Sequence, residues 1–372
     1  MKPLVTVVVP VYNVAPYLPD CIESLLAQTL QPMELIFVDD ASTDNSLAVL
    51  QDYEARYPDR MRVIASAENH KQGGARNVGL RQAKADWVGW IDSDDFVTPD
   101  FYKTLYDRVQ ETGADVAFLQ YAAVPHDAHP GTVDPAALTP LIRWDDWLLR
   151  WNGQDLTDEG RMDLICCPIG GLVCGLWRKS LLTDHDLWFP ADVRYEDNYW
   201  GPIAKVYLQR AAFVPRVGYL YRQVAASTTH KRNQPYIRDR MTMERATLQK
   251  ADELGLRDRY HDAWEYLYGW RYCVNTVQTY LRSYDEIPFD TIDALVDEVD
   301  AAFPHWQQNR YYCHLVPEAQ RAENARQVYH TRQWVRDRDA AAQKQRRAEA
   351  RARLWDKGCR TVKKLLHIST QP

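Results

Sequence analysis

Asp92, Asp94 and Asp95 place three carboxylates within four residues, with Ser93 between the first two. Oxygen ligands at that spacing suit a hard divalent cation that also holds phosphate oxygens. The plainer alternative is a solvated acidic turn in which Asp94 or Asp95 helps cap a helix opening near Pro99. The run before it, Trp87-Val88-Gly89-Trp90-Ile91, has the length and composition of a buried strand. Parallel sheets bind ligands outside the carboxyl ends of their strands, so the acids stand where a ligand is expected. A second pair, Asp39-Asp40, ends the apolar run Leu35–Val38 in the same way.

The elements that must position these groups alternate. Leu4–Val9 reads as a central parallel strand stopped by Pro10, with Tyr12 and Asn13 at its carboxyl end. Leu18, Ile22, Leu25, Leu26 and Leu30 recur at helical spacing over 16–29. Leu35–Val38 is a second strand, Ala41–Ser46 a turn that opens a helix over about 44–56, and Val63-Ile64 a short third strand. Gly73–Gly79 reads as a loop entering a helix that ends near 84; strand 86–91, a helix near 99–112 and a strand at 115–119 follow. Strand–helix alternation of this kind implies βαβ units and a mainly parallel, Rossmann-like α/β sheet flanked by helices. There is no G-x-G-x-x-G after the first strand and no G-x-x-x-x-G-K-[ST], which argues against a nicotinamide site and a P-loop. Residues 121–160 read as a long insertion or lid. Leu172–Trp177 and Val214–Tyr221 read as strands, and the chain is largely helical from about 236.

Composition sets the outer bounds. The 372 residues are 46% apolar and 26% charged, as in a folded protein of one large or two ordinary domains. Thirteen Trp and 22 Tyr, many after residue 140, either line a sugar surface or fill a core. The seven cysteines show no C-x-x-C pair and no zinc spacing, and read as reduced thiols of a cytosolic protein. Met1-Lys2-Pro3 runs directly into a strand, so no signal peptide is expected, and no apolar run reaches the roughly 18 residues of a membrane span. Residues 336–364 carry eleven Lys/Arg against four Asp/Glu, a net +7 on a chain whose total is −6. A basic end on an acidic body is a partner signal, though not one for nucleic acid.

Five stretches now occur in order: Val8–Asn13 (with Pro10 and Tyr12), Val38–Asp44, Gly74-Ala75-Arg76-Asn77-x-Gly79, Ile91–Asp95 and Tyr195-Glu196-Asp197. Together they resemble the inverting family 2 glycosyltransferases of the GT-A fold, over about residues 3–230. The resemblance implies a nucleotide-sugar donor, probed first as a UDP-sugar. It implies Asp40 as the carboxylate that reads uracil and Tyr12 as the ring packed on the base, with Pro10 and Asp39 beside them. Arg76 would contact the nucleotide; the alternative is a helix-surface salt bridge. Asp92 and Ser93 would face the ribose or sugar, and Asp94, with Asp92, would hold Mn2+ or Mg2+ on the diphosphate. Inversion needs a base for the acceptor hydroxyl, and the resemblance gives that role to Asp197, with Glu196 in support. Charge stabilisation of a helix N-terminus is the alternative for both acids. Tyr221-Arg222-x-x-x-x-Ser227 resembles a segment bringing Arg222 and Ser227 to the diphosphate, and His230 is a further metal ligand or a surface residue.

The Q-x-x-R-W motif and the membrane helices of processive synthases are missing, so a single transfer to a glycan or lipid-linked oligosaccharide is expected. The division expected is a nucleotide-sugar-binding half (1–120), an acceptor-binding and catalytic half (121–235) and a helical C-terminal region (236–372). Residues 340–353 are strong helix formers, and the apolar residues from Leu354 to Ile368 recur at near-helical spacing among lysines and arginines. Over 340–368 this fits a peripheral helix on an anionic membrane at its cytoplasmic face, or a helix packed on the body or a second subunit. Two other classes stand beside the enzyme: a sugar nucleotidyltransferase, which should carry a basic Gly-rich loop where Pro10–Asn13 stands, and a non-catalytic scaffold on the same fold.

Overall fold

The computed structural model describes residues 1–167, 169, 171–224, 232, 233 and 236–368, with side chains to residue 350 and at Ala352. The first half alternates as β1 (Val5–Val11), α1 (Leu18–Leu26), β2 (Met33–Asp39), α2 (Ser46–Arg56), β3 (Met61–Ala65), α3 (Lys71–Gln82), β4 (Trp87–Trp90), β5 (Phe96–Val97), α4 (Phe101–Thr112) and β6 (Val116–Val124). Then come α5 (Asp146–Leu149), α6 (Asp158–Cys166), β7 (Gly175–Arg178), α7 (Lys179–Asp184), α8 (Glu196–Val206) and β8 (Ala211–Arg222). The C-terminal region is helical: α9 (Ile237–Glu253), α10 (His261–Tyr266), a π-helical stretch Leu267–Val274, α11 (Asn275–Ser283), α12 (Phe289–Ala302), α13 (Arg310–Leu315), α14 (Glu318–Tyr329) and α15 (Thr331–Ile368).

One sheet runs in the order β3-β2-β1-β4-β7-β6-β8-β5. β1 pairs in parallel with β2 and β4, and β2 with β3. β7 runs antiparallel to both β4 and β6, and β5 antiparallel to β8. The carboxyl ends of β1, β2 and β4 therefore lie side by side, and their polar residues gather along one edge.

Alternation along β1 sends Val5, Val7 and Val9 to one face, with Leu18, Ile22, Leu50, Phe101 and Leu105. Val8 faces the other way, into a core that includes Ala75, Trp90, Trp177 and Trp200 and continues through Tyr266, Trp306 and Tyr311. Many of the late aromatics thus fill a core. Trp200 is stacked on Phe189 at 4.6 Å and meets Trp177 edge-on at 4.9 Å and Trp90 at 5.6 Å. Asp163, on α6, accepts hydrogen bonds from Trp151 Nε1 at 2.7 Å and Tyr311 Oη at 2.9 Å, which ties α13 to the sheet side.

Four expectations need correction. β1 does not stop at Pro10; it continues to Val11, with Pro10 paired in register with Val38. The carbonyl of Val8 points toward β4, so the nitrogen of Pro10, two residues on, faces the same side. There β4 has already ended opposite Val8, so no ladder bond is lost. The run Gly73–Gly79 is not a loop but lies inside α3. Its glycines serve close approach: a Cβ on Gly73 would sit 2.1 Å from the carbonyl oxygen of Pro190, and one on Gly79 2.2 Å from Val8 Cγ1. Residues 121–160 are not a free lid, because β6 extends to Val124 and Trp144, Leu148 and Leu156 are buried. Leu172–Cys174 is a 3-10 turn, and strand begins only at Gly175.

Candidate active site

The acidic turn after β4 is held from behind. Asp95 is 1% exposed, and its Oδ2 accepts from the Tyr219 hydroxyl at 2.6 Å while Oδ1 accepts from the Arg222 backbone N–H at 2.8 Å. The Tyr219 hydroxyl also accepts the Asp92 N–H at 3.2 Å, so one phenol links two positions of the turn. Burial, then Asp94 and Asp92, push the Asp95 carboxyl well above the usual carboxylate range. Arg222 is spent on the protein: it donates to the carbonyls of Asp94 (2.8 Å), His126 (3.0 Å) and Ala128 (2.8 Å) and to Asp20 Oδ2 (2.7 Å). In this arrangement Arg222 is not among the residues that line the cavity, and it braces the turn. Ser227 and His230 lie outside the described residues.

Asp92, Ser93 and Asp94 do line the cavity, whose volume is about 390 Å³. Burial first, and then Asp92, push the Asp94 carboxyl up to about 6. No ion pair to Asp94 is present among the described residues. Two adjacent carboxylates, one of them held above its normal range by burial and its neighbour, form a donor set that a hard divalent cation fits. A second grouping, His261, Asp262 and Glu265, brings ligand atoms within 4.8 Å of one another. Its acids already have partners, because Asp262 pairs with Arg310 at 2.8 Å and Glu265 accepts from Asn309 at 2.8 Å.

Arg76 stands on α3 between the acidic turn and α8. It is 3% exposed, donates to Asp92 Oδ1 at 2.9 Å, and donates a second bond to Glu196 Oε1. Burial works against its charge, but Glu196, Asp92 and Asp197 together outweigh this and hold it above the usual arginine range. Burial pushes Glu196 up, Arg76 opposes the shift, and Asp197 adds to it. Glu196 is 4% exposed and committed to Arg76, whereas its neighbour Asp197 is exposed and lines the cavity. The two acids of one helical turn are thereby separated into a buried partner and an exposed carboxylate with no hydrogen-bond partner among the described residues. The preceding Tyr195 has φ +62°, a left-handed conformation that a bulky residue adopts only when its surroundings force it.

The opposite wall comes from the ends of β1 and β2. Pro10, Val11, Tyr12 and Asp40 line it, and Tyr12 is 47% exposed. Asn13 Oδ1 accepts from the N–H groups of Thr43 (2.7 Å) and Asp44 (3.2 Å), locking the two strand ends together. Asp40 Oδ1 accepts from the His70 N–H at 2.8 Å, and burial raises its carboxyl. Asp39 lies behind this wall. Its Oδ2 accepts from the Ser42 N–H at 3.2 Å, and its buried Oδ1 has no hydrogen-bond partner among the described residues. Asn69, Lys71, Gln72 and Arg194 also line the cavity. None of them lies in a stretch whose local pattern points to a ligand, and Tyr219, buried in a strand, gives no such signal either.

Removing the Tyr219 hydroxyl should therefore loosen the turn without touching the cavity surface. Tyr219→Phe is expected to cost about 1–3 kcal/mol in urea unfolding, because the buried Asp95 carboxyl loses its hydrogen-bond partner. Mn2+ binding measured by calorimetry should weaken in parallel. Wild-type stability in this variant would show that Asp95 does not depend on that bond.

Residues 6–160 match the family model described as Glycosyl transferase family 2. The chain is 39% identical over 230 residues to the uncharacterized glycosyltransferase EpsJ of Bacillus subtilis, covering 62% of this chain and 64% of that protein. It is 41% identical over 116 residues to the succinoglycan biosynthesis protein ExoO of Rhizobium meliloti, covering 31% of this chain and 32% of that protein. The chain thus spans less than two thirds of the length of each of these two relatives. Among solved structures it resembles S. aureus TarS 1–349 in complex with UDP, at 21% identity and TM-score 0.57, over 90% of this chain and 92% of that one. The same TarS segment is also solved with UDP-GlcNAc. At that identity the likeness concerns the fold, in which the mixed sheet and the helical C-terminal region correspond. Residues 6–160 thus form a glycosyl transferase family 2 segment, and the mixed sheet with its helical C-terminal region has a GT-A-like fold.

Proposed function

We propose that the protein is a divalent-metal-dependent, inverting glycosyltransferase of polysaccharide assembly. It moves one sugar from a UDP-sugar to a hydroxyl of a glycan or lipid-linked oligosaccharide. The observation that carries this reading is the division of labour at the start of α8: Glu196 is buried on Arg76, while Asp197 faces the cavity opposite Tyr12 and Asp40. Inversion by a single displacement needs one unpaired carboxylate on the acceptor side to take the hydroxyl proton as the new bond forms. Asp197 takes that role. Asp40 accepts from the ring N–H of uracil, and Tyr12 packs on the base, with Pro10 and Asp39 supporting them. Arg76 orients Asp92 toward the ribose or sugar, beside Ser93. A Mn2+ or Mg2+ ion held by Asp94 and Asp92, with His230 as a further ligand, would neutralise charge on the departing diphosphate. The relatives' names, which include succinoglycan biosynthesis, and the TarS complexes with UDP and UDP-GlcNAc support the substrate class.

The C-terminal end offers the second contact. Residues 341–350 of α15 are all exposed, and among the described residues no helix is long and apolar enough to cross a membrane. The basic stretch 340–368 would rest peripherally on an anionic lipid surface and so bring the cavity near a lipid-linked acceptor at its cytoplasmic face.

A donor panel decides the central reading: UDP-, GDP- and dTDP-sugars with Mn2+, followed by calorimetry and nucleoside diphosphate release. One UDP-sugar should stand out. Asp197→Asn should keep its affinity and lose turnover by a factor of roughly 10² or more. Asp94→Ala should weaken metal-dependent donor binding. Normal transfer by Asp197→Asn would remove the base assignment, and absence of binding to every nucleotide sugar would favour a scaffold.

A further inference from the structure

Helix α8 contains a proline where its first turn needs a donor. In an α-helix the carbonyl of residue 198 accepts the N–H of residue 202. Here residue 202 is Pro202, which has no N–H and whose ring crowds that carbonyl. The group left over belongs to Asn198, one residue beyond Asp197. The peptide that carries it begins at Asn198, so its orientation bears on the helical turn in which Asp197 stands.

The C-terminal helical region supplies the missing donor. Arg271, in the π-helical stretch, donates from Nη2 to the Asn198 carbonyl oxygen at 2.9 Å. The Thr247 hydroxyl is also near that oxygen, at 3.4 Å, but it has one proton and makes a shorter bond to the Met243 carbonyl at 2.8 Å. Arg271 is itself held: its Nε and Nη2 donate to Glu244 Oε2 at 3.0 and 2.8 Å, and Glu244 is 2% exposed. Glu244 Oε1 accepts from Asn198 Nδ2 at 2.9 Å, so Asn198 is gripped by both backbone and side chain. The backbone carbonyl of Arg271 accepts from Arg240 Nη2 at 2.8 Å. The π-helical turn that presents Arg271 lies against Trp306, so closely that a Cβ on Gly269 would come within 2.4 Å of the indole. π-helical turns are rare and recur at functional sites.

We propose that Arg271, fixed by Glu244, is a positioning residue for Asp197: it caps the Asn198 carbonyl that Pro202 orphans and so sets the geometry of the first turn of α8. The proposal rests on the reading of Asp197 as the base. It gives the helical C-terminal region a part in catalysis that is separate from acceptor recognition.

The relation between Arg271 and Pro202 supplies the test, because Pro202→Ala restores the backbone N–H that Arg271 replaces. Four full-length proteins are compared: wild type, Arg271→Met, Pro202→Ala and the double variant. Amide hydrogen exchange over 197–201 is read without ligand, and kcat and KM for slow hydrolysis are read with UDP-GlcNAc and Mn2+ as the probe. Arg271→Met should speed exchange and lower kcat by about tenfold with KM unchanged, the signature of a misplaced catalytic group. The double variant should regain most of both losses, which a general packing defect would not do. Unchanged exchange in Arg271→Met, or a double variant no better than the single one, overturns the clamp. Asp197→Asn separates the two readings. If it hydrolyses the probe normally, the base assignment fails and the catalytic purpose of the clamp goes with it. If it is inactive and the double variant shows no rescue, only the clamp is lost.

Discussion

A guanidinium buried between two carboxylates is the interaction on which the rest of this structure depends. Taking Arg76 out of water is costly, and only matched charges with good hydrogen-bond geometry offset that cost. Asp92 supplies one from the strand end, and Glu196 the other from α8. Glu196 lies 120 residues from Arg76 in sequence, so the ion triad joins α8 to the first half of the sheet. It requires α3 to lie close to the loop before α8, which is why Gly73 has no room for a methyl group beside the Pro190 carbonyl. It is roofed by Phe189, whose ring lies 5.5 Å from the guanidinium and stacks on Trp200 of α8.

The sheet provides the other half of the arrangement. Three parallel strands end side by side and deliver Tyr12, Asp40 and the acidic turn to one edge. The turn would be an unstable concentration of negative charge if it were unsupported. β8 braces it with the Tyr219 hydroxyl and Arg222, while α8 brings its N-terminus to the facing wall. Rigid elements therefore set both walls of the cavity, and the exposed groups Tyr12 and Asp197 are left to meet ligands. The helices after β8 share the core of the sheet's second face, so they are part of what holds α8 in place.

Much of this was legible in the sequence. Apolar runs ending in acids marked β2 and β4 and the edge at which they end, because buried parallel strands carry an almost continuous apolar signature. What was not legible has physical causes. The glycines of α3 oppose helix propensity and so looked like a loop, yet they answer to the close approach of Pro190 and Val8, contacts distant in sequence. Pro10 looked like a strand terminator because its tolerance depends on β4 ending two residues earlier. The partners of Arg222, Asp20, His126 and Ala128, lie about 95 to 200 residues away in sequence, so no local pattern shows them. The Glu196-Asp197 pair could be placed at a helix start, but its split into a buried and an open acid depends on Arg76. No local pattern announces the π-helical stretch or the donor it carries.

The most direct test of the account is a double-mutant cycle between Arg76 and Glu196, measured by urea unfolding at neutral pH with Arg76→Met, Glu196→Gln and both together. If the buried pair organises the site, Arg76→Met leaves the buried Glu196 without its cation, and Glu196→Gln leaves Arg76 with Asp92 alone. The double variant should then be more stable than the sum of the two losses predicts, by about 1–3 kcal/mol. Additive losses would mean that Arg76 and Glu196 contribute independently, which would contradict the claim that their pairing ties α8 to the acidic turn.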